Sequence, residues 1–368
     1  LSRDNTLNDE ERIIVVDLLY LGDMLFAHPF FAGLRKIFPE ARIDLAANSN
    51  FVEIMRINEN FDHVYSYSKN YSVAKSYKFA KKLKKNNYQL GINIHGNWRT
   101  ALLLKLISPD KSIGYGSKGR GVFLDEEIER TEGHMVDVYL DFLKNMKNSD
   151  ILEGSIPEDT SEKEVDLHSE KTTEDNNKDK SQIRFAGKKP VLELNSVYLE
   201  SAQNILKSSG INADDDFIVL NTGGSWPTKR WPKEYFAELA EKLRDNGKRV
   251  LFVGGPSDCD RVEEIMDMMK TNVEVYNVCG KTSLLDLAGV LKYADLIISG
   301  DTGPVHVAAA VGTDTATIFG PSDENKYAPR GRGKNIIIKN ESLDCRPCGE
   351  HECPLGHHKC MRDITAEL

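Results

Sequence analysis

The stretch Asp301-Thr302-Gly303-Pro304-Val305-His306 decides the fold of this chain and points to its chemistry. An apolar run at 296–300 precedes it and a small-residue run at 307–312 follows it, which predicts a strand, a glycine turn and a helix. The first N–H groups of a helix have no partners within the helix and attract anions, phosphate above all. Because Asp301 and His306 add a carboxylate and an imidazole that can bind hydroxyls, the stretch suits a nucleotide-sugar.

A second turn of the same kind lies earlier in the chain. Residues 217–220 are typical of a buried strand, 221–225 of a turn with hydroxyl groups, and a helix is expected to start at Pro232. Between the turn and this helix lie Lys229 and Arg230, two cations that can neutralise a diphosphate without a metal ion. The alternative is that both are solvated loop charges.

Strand and helix patterns alternate along both halves of the chain. Alternation of this kind is typical of parallel sheets covered by helices, and ligands then bind at the carboxyl ends of the strands. The sequence therefore predicts an α/β fold with two Rossmann-like domains facing across a cleft. Strands are expected at 13–16, 41–47, 88–94, 249–253, 273–278, 296–299 and 316–319.

The charge distribution predicts where the two domains join. The chain has 368 residues and a net charge of −9, and residues 150–180 alone carry 11 acidic side chains against 4 lysines. A polar segment like this buries too little to offset its ordering entropy. We therefore expect an N-terminal domain at 1–149, a disordered acidic linker at 150–189 and a C-terminal domain at 190–368.

Hydropathy limits the class of protein. No apolar run reaches the 18 residues or so that a membrane span needs, and we expect no signal peptide. We therefore expect a cytoplasmic protein, and we expect no nucleic-acid partner.

Several short blocks, taken in order, resemble a known family, glycosyltransferase family 9, the ADP-heptose:lipopolysaccharide heptosyltransferases. The resemblance covers about 12–147 and 190–368. It implies a GT-B fold and transfer of heptose from ADP-heptose onto a lipopolysaccharide core or a related glycan, with no required cofactor. The blocks are Leu21-Gly22-Asp23 with His28-Pro29, Thr228-Lys229-Arg230-Trp231-Pro232, the stretch 301–306, and Cys345-Arg346-Pro347-Cys348 with Cys353-Pro354 and Cys360-Met361.

Asp23 is the candidate catalytic base. It follows a predicted strand tip and a glycine, where a carboxylate can take the proton of an acceptor hydroxyl, and the resemblance implies the same role. The alternative is that Asp23 caps the following helix. The chain departs from the common family pattern nearby, since a basic residue often stands in place of Asp17 and a Ser-Ser pair in place of Leu19-Tyr20. These changes put the acceptor and the sugar in doubt.

The donor site is expected at the two glycine turns. Asp258 follows the strand at 249–253 and is placed to bind ribose hydroxyls, although it can equally cap a helix. His306 can also be a core histidine without a ligand. The resemblance implies donor contacts from Thr222, Gly223, Ser225, Lys229, Asp301, Thr302, Gly303 and His306.

Acceptor binding is expected in the N-terminal domain. Arg99 ends a block at 94–99 and is placed to meet an anionic group, which suits a glycolipid acceptor. Seven lysines with aromatic neighbours crowd residues 69–85. Such a segment can lie on the anionic inner surface of the membrane, and the alternative is an ordinary solvated face.

Four of the six cysteines cluster at the C-terminal end. Cys345, Cys348, Cys353 and Cys360 could hold a structural zinc ion, although the last two spacings are irregular for zinc sites. Disulfides are disfavoured in a reducing cytosol. We expect a structural role for the cluster and no catalytic metal.

Other function classes stay open. A sugar-nucleotide epimerase can use the same two-domain architecture, but it is expected to bring more acid and base groups to the sugar than Asp23 alone. A non-catalytic sugar-binding protein is a further alternative. A nicotinamide oxidoreductase would need a GxGxxG turn after the first strand, which Leu21-Gly22-Asp23 does not supply.

Overall fold

The structure is a computed structural model that describes residues 11–116, 120–149, 182–186, 189–271 and 273–367. These residues divide into two compact units. The first comprises 11–149 apart from Gly133–Met135, which join 182–367 in the second. Most of the expected linker, 150–181, lies outside the described residues, so its disorder and the exact domain limits stay predictions.

The first unit is built on a six-stranded parallel sheet with the order β3-β2-β1-β4-β5-β6. Successive strands are added on one side of β1 up to β3 and on its other side from β4 onward. This change of side places a topological switch point at the carboxyl ends of β1 and β4. The strands are β1 (Arg12–Asp17), β2 (Arg42–Asn48), β3 (His63–Tyr67), β4 (Leu90–Asn93), β5 (Lys111–Tyr115) and β6 (Glu126–Ile128).

Six helices connect and cover these strands. One buried cluster joins Ile14 and Val16 of β1, and Leu18 just beyond this strand, to apolar side chains of the helices at 73–84 and 98–107. Period-two burial on a strand and an apolar stripe on a helix produce this packing. The helices are α1 (Leu21–Phe26), α2 (His28–Ile37), α3 (Val52–Arg56), α4 (Val73–Lys84), α5 (Trp98–Ile107) and α6 (Met135–Lys147).

The second unit repeats the arrangement. A hairpin of β7 (Gln182–Ala186) and β8 (Lys189–Glu193) comes first, so a strand occupies part of the segment expected to be linker. A second parallel sheet follows with the order β11-β10-β9-β12-β13-β14 and a switch point between β9 and β12. Its strands are β9 (Phe217–Asn221), β10 (Arg249–Val253), β11 (Val275–Asn277), β12 (Leu296–Gly300), β13 (Asp314–Phe319) and β14 (Asn335–Lys339).

The C-terminal segment is part of the second core. Cys360, Met361 and Ile364 are buried with residues of β9, β10 and β12, and the Trp231 indole donates a 2.7 Å hydrogen bond to the Ile364 carbonyl. The helices of this unit are α7 (Ser196–Ser209), α8 (Lys233–Asp245), α9 (Cys259–Met268), α10 (Leu284–Tyr293), α11 (Gly303–Val311), α12 (Glu324–Tyr327) and α13 (Lys359–Arg362).

The predicted α/β fold with two parallel sheets is confirmed. The helical pattern after the first strand predicts one helix from Met24 to Ile37, and this prediction is wrong. The segment forms two helices, α1 and α2, that break at Ala27. Pro29 has no N–H and its ring clashes with a preceding carbonyl, so a continuous helix through this point is disfavoured.

Gly300 allows the close approach of two segments in the second unit. A Cβ atom at this position would lie 2.6 Å from the backbone carbonyl oxygen of Lys229. Real Cβ atoms do not tolerate such a distance, so one segment would have to move.

We predict that Gly300→Ala lowers the Tm by about 3–10 °C, because overpacking of this kind costs about 1–3 kcal/mol. Gly255→Ala is the matched control, since Gly255 has ordinary φ and ψ angles of −76° and 171° and its added Cβ meets only Asp258 Oδ2, at 3.7 Å. Thermal unfolding followed by circular dichroism measures both variants. Equal Tm values for Gly300→Ala and wild type would contradict the close approach.

Candidate active site

The candidate donor site lies at the switch point of the second sheet, where β9 and β12 end side by side. Asn221, the last residue of β9, donates 2.9 and 3.0 Å hydrogen bonds from Nδ2 to the hydroxyls of Ser299 and Thr302. These bonds tie the end of β9 to the turn that precedes α11. The two glycine turns predicted from the sequence are therefore neighbours.

An ion pair joins these turns. Lys229 Nζ lies 2.6 Å from Asp301 Oδ2, and their side chains are 16% and 5% exposed. His306 Nε2 lies 3.5 Å from the other carboxylate oxygen, Oδ1. Burial by itself raises the pKa of Asp301, but the hydrogen bond of His306 and the charge of Lys229 outweigh it and lower this pKa to about 2. Asp301 is therefore ionised at neutral pH and holds Lys229 in place.

The lysine also contacts an aromatic ring. Lys229 Nζ lies 4.5 Å from the ring centre of Trp226, and this indole stacks on His351 with 4.0 Å between ring centres. The ammonium group is thus fixed on two sides, by a carboxylate and by an aromatic face. A fixed cation of this kind can receive an anion with little loss of side-chain entropy.

The start of α11 offers backbone donors beside this ion pair. Thr302 is the N-cap residue, and its hydroxyl contacts Asn221 and Ser299 instead of capping the helix. Gly303 begins the helix and Pro304 follows. The N–H groups of the first helical turn and the helix dipole are available for an anion there.

The turn after β9 supplies further predicted donor residues. Thr222 is buried, and among the described residues its hydroxyl has no hydrogen-bond partner. Gly223 lies so close to Asp258 that an added Cβ would be 2.6 Å from Asp258 Oδ2, and Ser225 is exposed. Asp258 also accepts a 3.0 Å hydrogen bond from the Gly255 N–H. The carboxylate of Asp258 therefore borders the turn and orders its own loop, and its ribose contact stays a prediction.

Two arginines hold this turn in shape. Arg230 Nε donates to the Gly224 carbonyl at 2.9 Å, so Arg230 supports the backbone as well as supplying charge. Arg261 of α9 donates to the carbonyls of Thr222 and Trp231, at 3.1 and 2.6 Å. No sequence pattern predicts this role of Arg261, since it lies about 40 residues from the turn and its contacts depend on packing.

Asp23 lies at the carboxyl end of the first sheet. It is the third residue of α1, whose N-cap is Tyr20, so the alternative that Asp23 is the N-cap is wrong. Its carboxylate is half-buried and interacts electrostatically with Asp17, Lys69 and Tyr139. The base role of Asp23 stays a prediction with a suitable local environment.

Asp17 ends β1 and is fully buried. Burial raises its pKa to about 7, and the charge of Asp23 adds to this rise, while the Leu19 N–H and Lys69 oppose it. In the sequence, Asp17 was visible only as a departure from the family pattern. The sequence analysis named Lys69 only as part of the lysine-rich segment 69–85, and it did not name Tyr139, because both reach this edge from distant parts of the chain.

The expected acceptor and membrane residues are on the surface. Arg99 is exposed on α5, 5.6 Å from the ring centre of Trp98. Helix α4 buries Ala80 and Leu83 and leaves its lysines in solvent together with Val73 and Tyr77, which are 89% and 54% exposed. Within the described part of the chain, no helix is both long and apolar enough to cross a membrane. The acceptor and membrane contacts remain predictions.

The four C-terminal cysteines line one small cavity together with His357 and His358. The His358 N–H bonds to Cys353 and lowers the pKa of that thiol, whereas burial raises the pKa of Cys360 to about 11. Among the described residues, no three His, Cys, Asp or Glu side chains are grouped so that they could hold a metal ion. The suggestion of structural zinc stays a prediction.

Comparison with known proteins identifies the family. The model of glycosyltransferase family 9 (heptosyltransferase) matches residues 76–359. Lipooligosaccharide heptosyltransferase 2 of Campylobacter jejuni subsp. jejuni serotype O:2 is 35% identical over 152 residues, which are 41% of this chain and 47% of that protein. Lipopolysaccharide heptosyltransferase 3 of Escherichia coli K12 is 25% identical over 84% of this chain and 83% of its own length.

The match thus spans about half the length of the Campylobacter relative. A solved structure, the glycosyl transferase family 9 protein from Veillonella parvula, shares the fold with a TM-score of 0.76 at 24% identity, covering 99% of this chain and 96% of its own. Because the family model covers well over half of the residues, the chain belongs to glycosyltransferase family 9.

Proposed function

We propose that this protein is an inverting glycosyltransferase that moves heptose from ADP-heptose onto a lipopolysaccharide core or a related glycan. The observation that carries the proposal is the Lys229–Asp301 ion pair beside the uncapped start of α11. A fixed ammonium group and free backbone N–H groups together suit a diphosphate. The heptosyltransferase relatives support heptose as the transferred sugar.

The reaction needs stabilisation of the leaving group. As the bond between the anomeric carbon and the diphosphate oxygen breaks, negative charge grows on the diphosphate. Lys229 and the first N–H groups of α11 meet this charge, and Asp301 keeps Lys229 oriented. We propose that these protein cations and dipoles stabilise the leaving diphosphate and that no divalent metal ion is required.

The reaction also needs a base. The acceptor oxygen attacks the anomeric carbon from the side opposite the diphosphate, and its proton passes to the Asp23 carboxylate. A single displacement of this kind inverts the configuration at the anomeric carbon. No covalent sugar–enzyme intermediate is needed, because Asp23 acts only on the acceptor proton.

We expect the protein to release ADP from ADP-heptose in the presence of EDTA when lipopolysaccharide truncated before its heptose residues is the acceptor. Chromatography quantifies ADP, a panel of UDP-sugars and GDP-sugars tests donor choice, and proton NMR of the product reports the anomeric configuration. Two results would contradict the mechanism: activity that EDTA abolishes and Mg²⁺ restores, or a product that retains the anomeric configuration of the donor. Epimerisation of the donor sugar without an acceptor would favour an epimerase. Tight binding of the donor without turnover would favour a non-catalytic binding protein.

We expect Asp23→Asn to lower kcat by about 100-fold or more while the KM for ADP-heptose stays nearly constant, since the base acts on the acceptor. Glu40→Gln is the control, an exposed acid of the same unit outside the sheet edge. Steady-state kinetics at saturating acceptor separates the two constants. If Asp23→Asn turns over at the wild-type rate, Asp23 is not the base.

A further inference from the structure

Asp17 is a buried carboxyl group whose hydrogen bonding is incomplete. It is the last residue of β1, at the switch point of the first sheet, and has no exposed surface. Oδ1 accepts a 3.0 Å hydrogen bond from the Leu19 N–H. Oδ2 is buried and has no hydrogen-bond partner among the described residues. A buried oxygen in this condition is costly and is therefore uncommon unless it has a function.

The second carboxyl group at this edge belongs to the candidate base. Asp23 lies in the first turn of α1, six residues after Asp17, and the two side chains interact electrostatically. Two carboxyl groups that share a site cannot both ionise without repulsion. The charge of Asp23 adds to the rise in the pKa of Asp17, so the ionisation of the two groups is linked.

A lysine at this edge of the sheet interacts with both carboxyl groups. Lys69, which follows β3, interacts with both Asp17 and Asp23, and its Nζ lies 4.3 Å from the ring centre of Tyr20. Lys69 is an exposed residue whose ammonium group is only partly buried. This partial burial lowers its pKa, and both carboxylates oppose the effect. The aromatic contact holds the ammonium group at the edge of the sheet.

A third buried group faces the pair from helix α6. The Tyr139 hydroxyl is buried without a hydrogen-bond partner among the described residues, and it interacts with both acids. Burial keeps the phenol protonated by raising its pKa. Further titratable or charged groups around this set, among the described residues, include Tyr20, His95, Tyr115, Arg130 and Asp141.

We propose that Asp17 is a positioning residue of the transfer reaction: with Lys69 as counter-charge, it forms a coupled carboxyl pair with Asp23 and sets how strongly Asp23 attracts the acceptor proton. This inference rests on the proposed role of Asp23 as base. Below its raised pKa of about 7, buried Asp17 keeps its proton. As Asp17 ionises, its charge makes Asp23 a stronger base, since repulsion favours return of a proton to the pair.

The proton balance is simple. The proton leaves the acceptor hydroxyl and binds Asp23 as the bond between the acceptor oxygen and the anomeric carbon forms. Asp17 makes and breaks no bond to the substrate. It acts through charge alone, so its removal changes the pH dependence of the reaction and not only its rate.

The test is a pH titration of the full-length protein with ¹³C-labelled aspartate carboxyl groups, assigned with Asp17→Asn and Asp23→Asn. In the wild type we expect two coupled steps, the upper one near pH 7, where the pKa of Asp17 lies. In Asp17→Asn we expect Asp23 to titrate in one step at least about one pH unit lower than the upper step. The acid limb of kcat/KM should move in the same direction.

Lys69→Met is the second variant, and it keeps the proposal testable if Asp17→Asn folds poorly. Loss of the cation should move the upper step to higher pH, opposite to the effect of Asp17→Asn. Lys36→Met, an exposed lysine at the end of α2, is the control and should leave the titration unchanged. Titration of Asp23 that is identical in wild type and Asp17→Asn, or unaffected by Lys69→Met, would overturn the proposal.

Stability provides a readout that is independent of activity. The pKa of Asp17 is raised from 3.8 to about 7 by folding, so its contribution to stability is fully present below pH 3.8 and is lost as the pH rises to about 7. The Tm of Asp17→Asn relative to wild type should therefore increase between pH 4 and pH 8. A constant Tm difference over this range would contradict the raised pKa. If Asp23→Asn stays fully active while the coupling is observed, the proposed base is wrong and the carboxyl pair stands.

Discussion

The ion pair of Lys229 and Asp301 is the interaction on which the candidate donor site depends. A buried pair of this kind does little for net stability, because desolvation of both charges offsets most of their attraction. The ion pair matters because it positions the Lys229 ammonium group. Asp301 holds the lysine at the start of α11, and Gly300 lets the segment of Lys229 approach the end of β12. Removal of Asp301 would take away the carboxylate partner of Lys229, and removal of Lys229 would leave Asp301 buried beside His306.

The two sheets have the same topology, but the side chains at their switch points carry opposite charges. Both have a switch point at their centre, and polar side chains gather there because the strands on either side of it end together. In the second unit a cation and helix N–H groups dominate, which suits a diphosphate. In the first unit two carboxyl groups dominate, which suits removal of a proton. One architecture thus supplies two kinds of chemistry through the residues at its strand ends.

The sequence predicted the parts of the fold that local patterns encode. Apolar runs located β1, β9, β10 and β12 to within a residue or so, and glycine turns located the donor site. It missed β3, β6 and β14, which are edge strands, and the hairpin of β7 and β8. It also missed β5, an interior strand whose sequence KSIGY holds only two apolar residues.

Predictions of site residues failed where a role depends on tertiary contact. Arg261 shapes the donor turn from another helix, and Lys69 and Tyr139 reach Asp17 from distant segments. No local spacing encodes such meetings. Asp17 itself drew notice only because its residue type departs from the family pattern. The sequence does not show that the Asp17 carboxyl group is fully buried, and this burial is the reason to assign it a function.

Calorimetric titration of the protein with ADP tests the central claim most directly. We expect metal-free binding by the wild type and by the control Lys248→Met, an exposed lysine of the same unit, and at least about tenfold weaker binding by Lys229→Met, since charge-assisted bonds to phosphate contribute roughly 1.5–3 kcal/mol. Equal affinity of Lys229→Met and wild type, with the variant folded, would contradict the assignment of the diphosphate site to the Lys229–Asp301 pair.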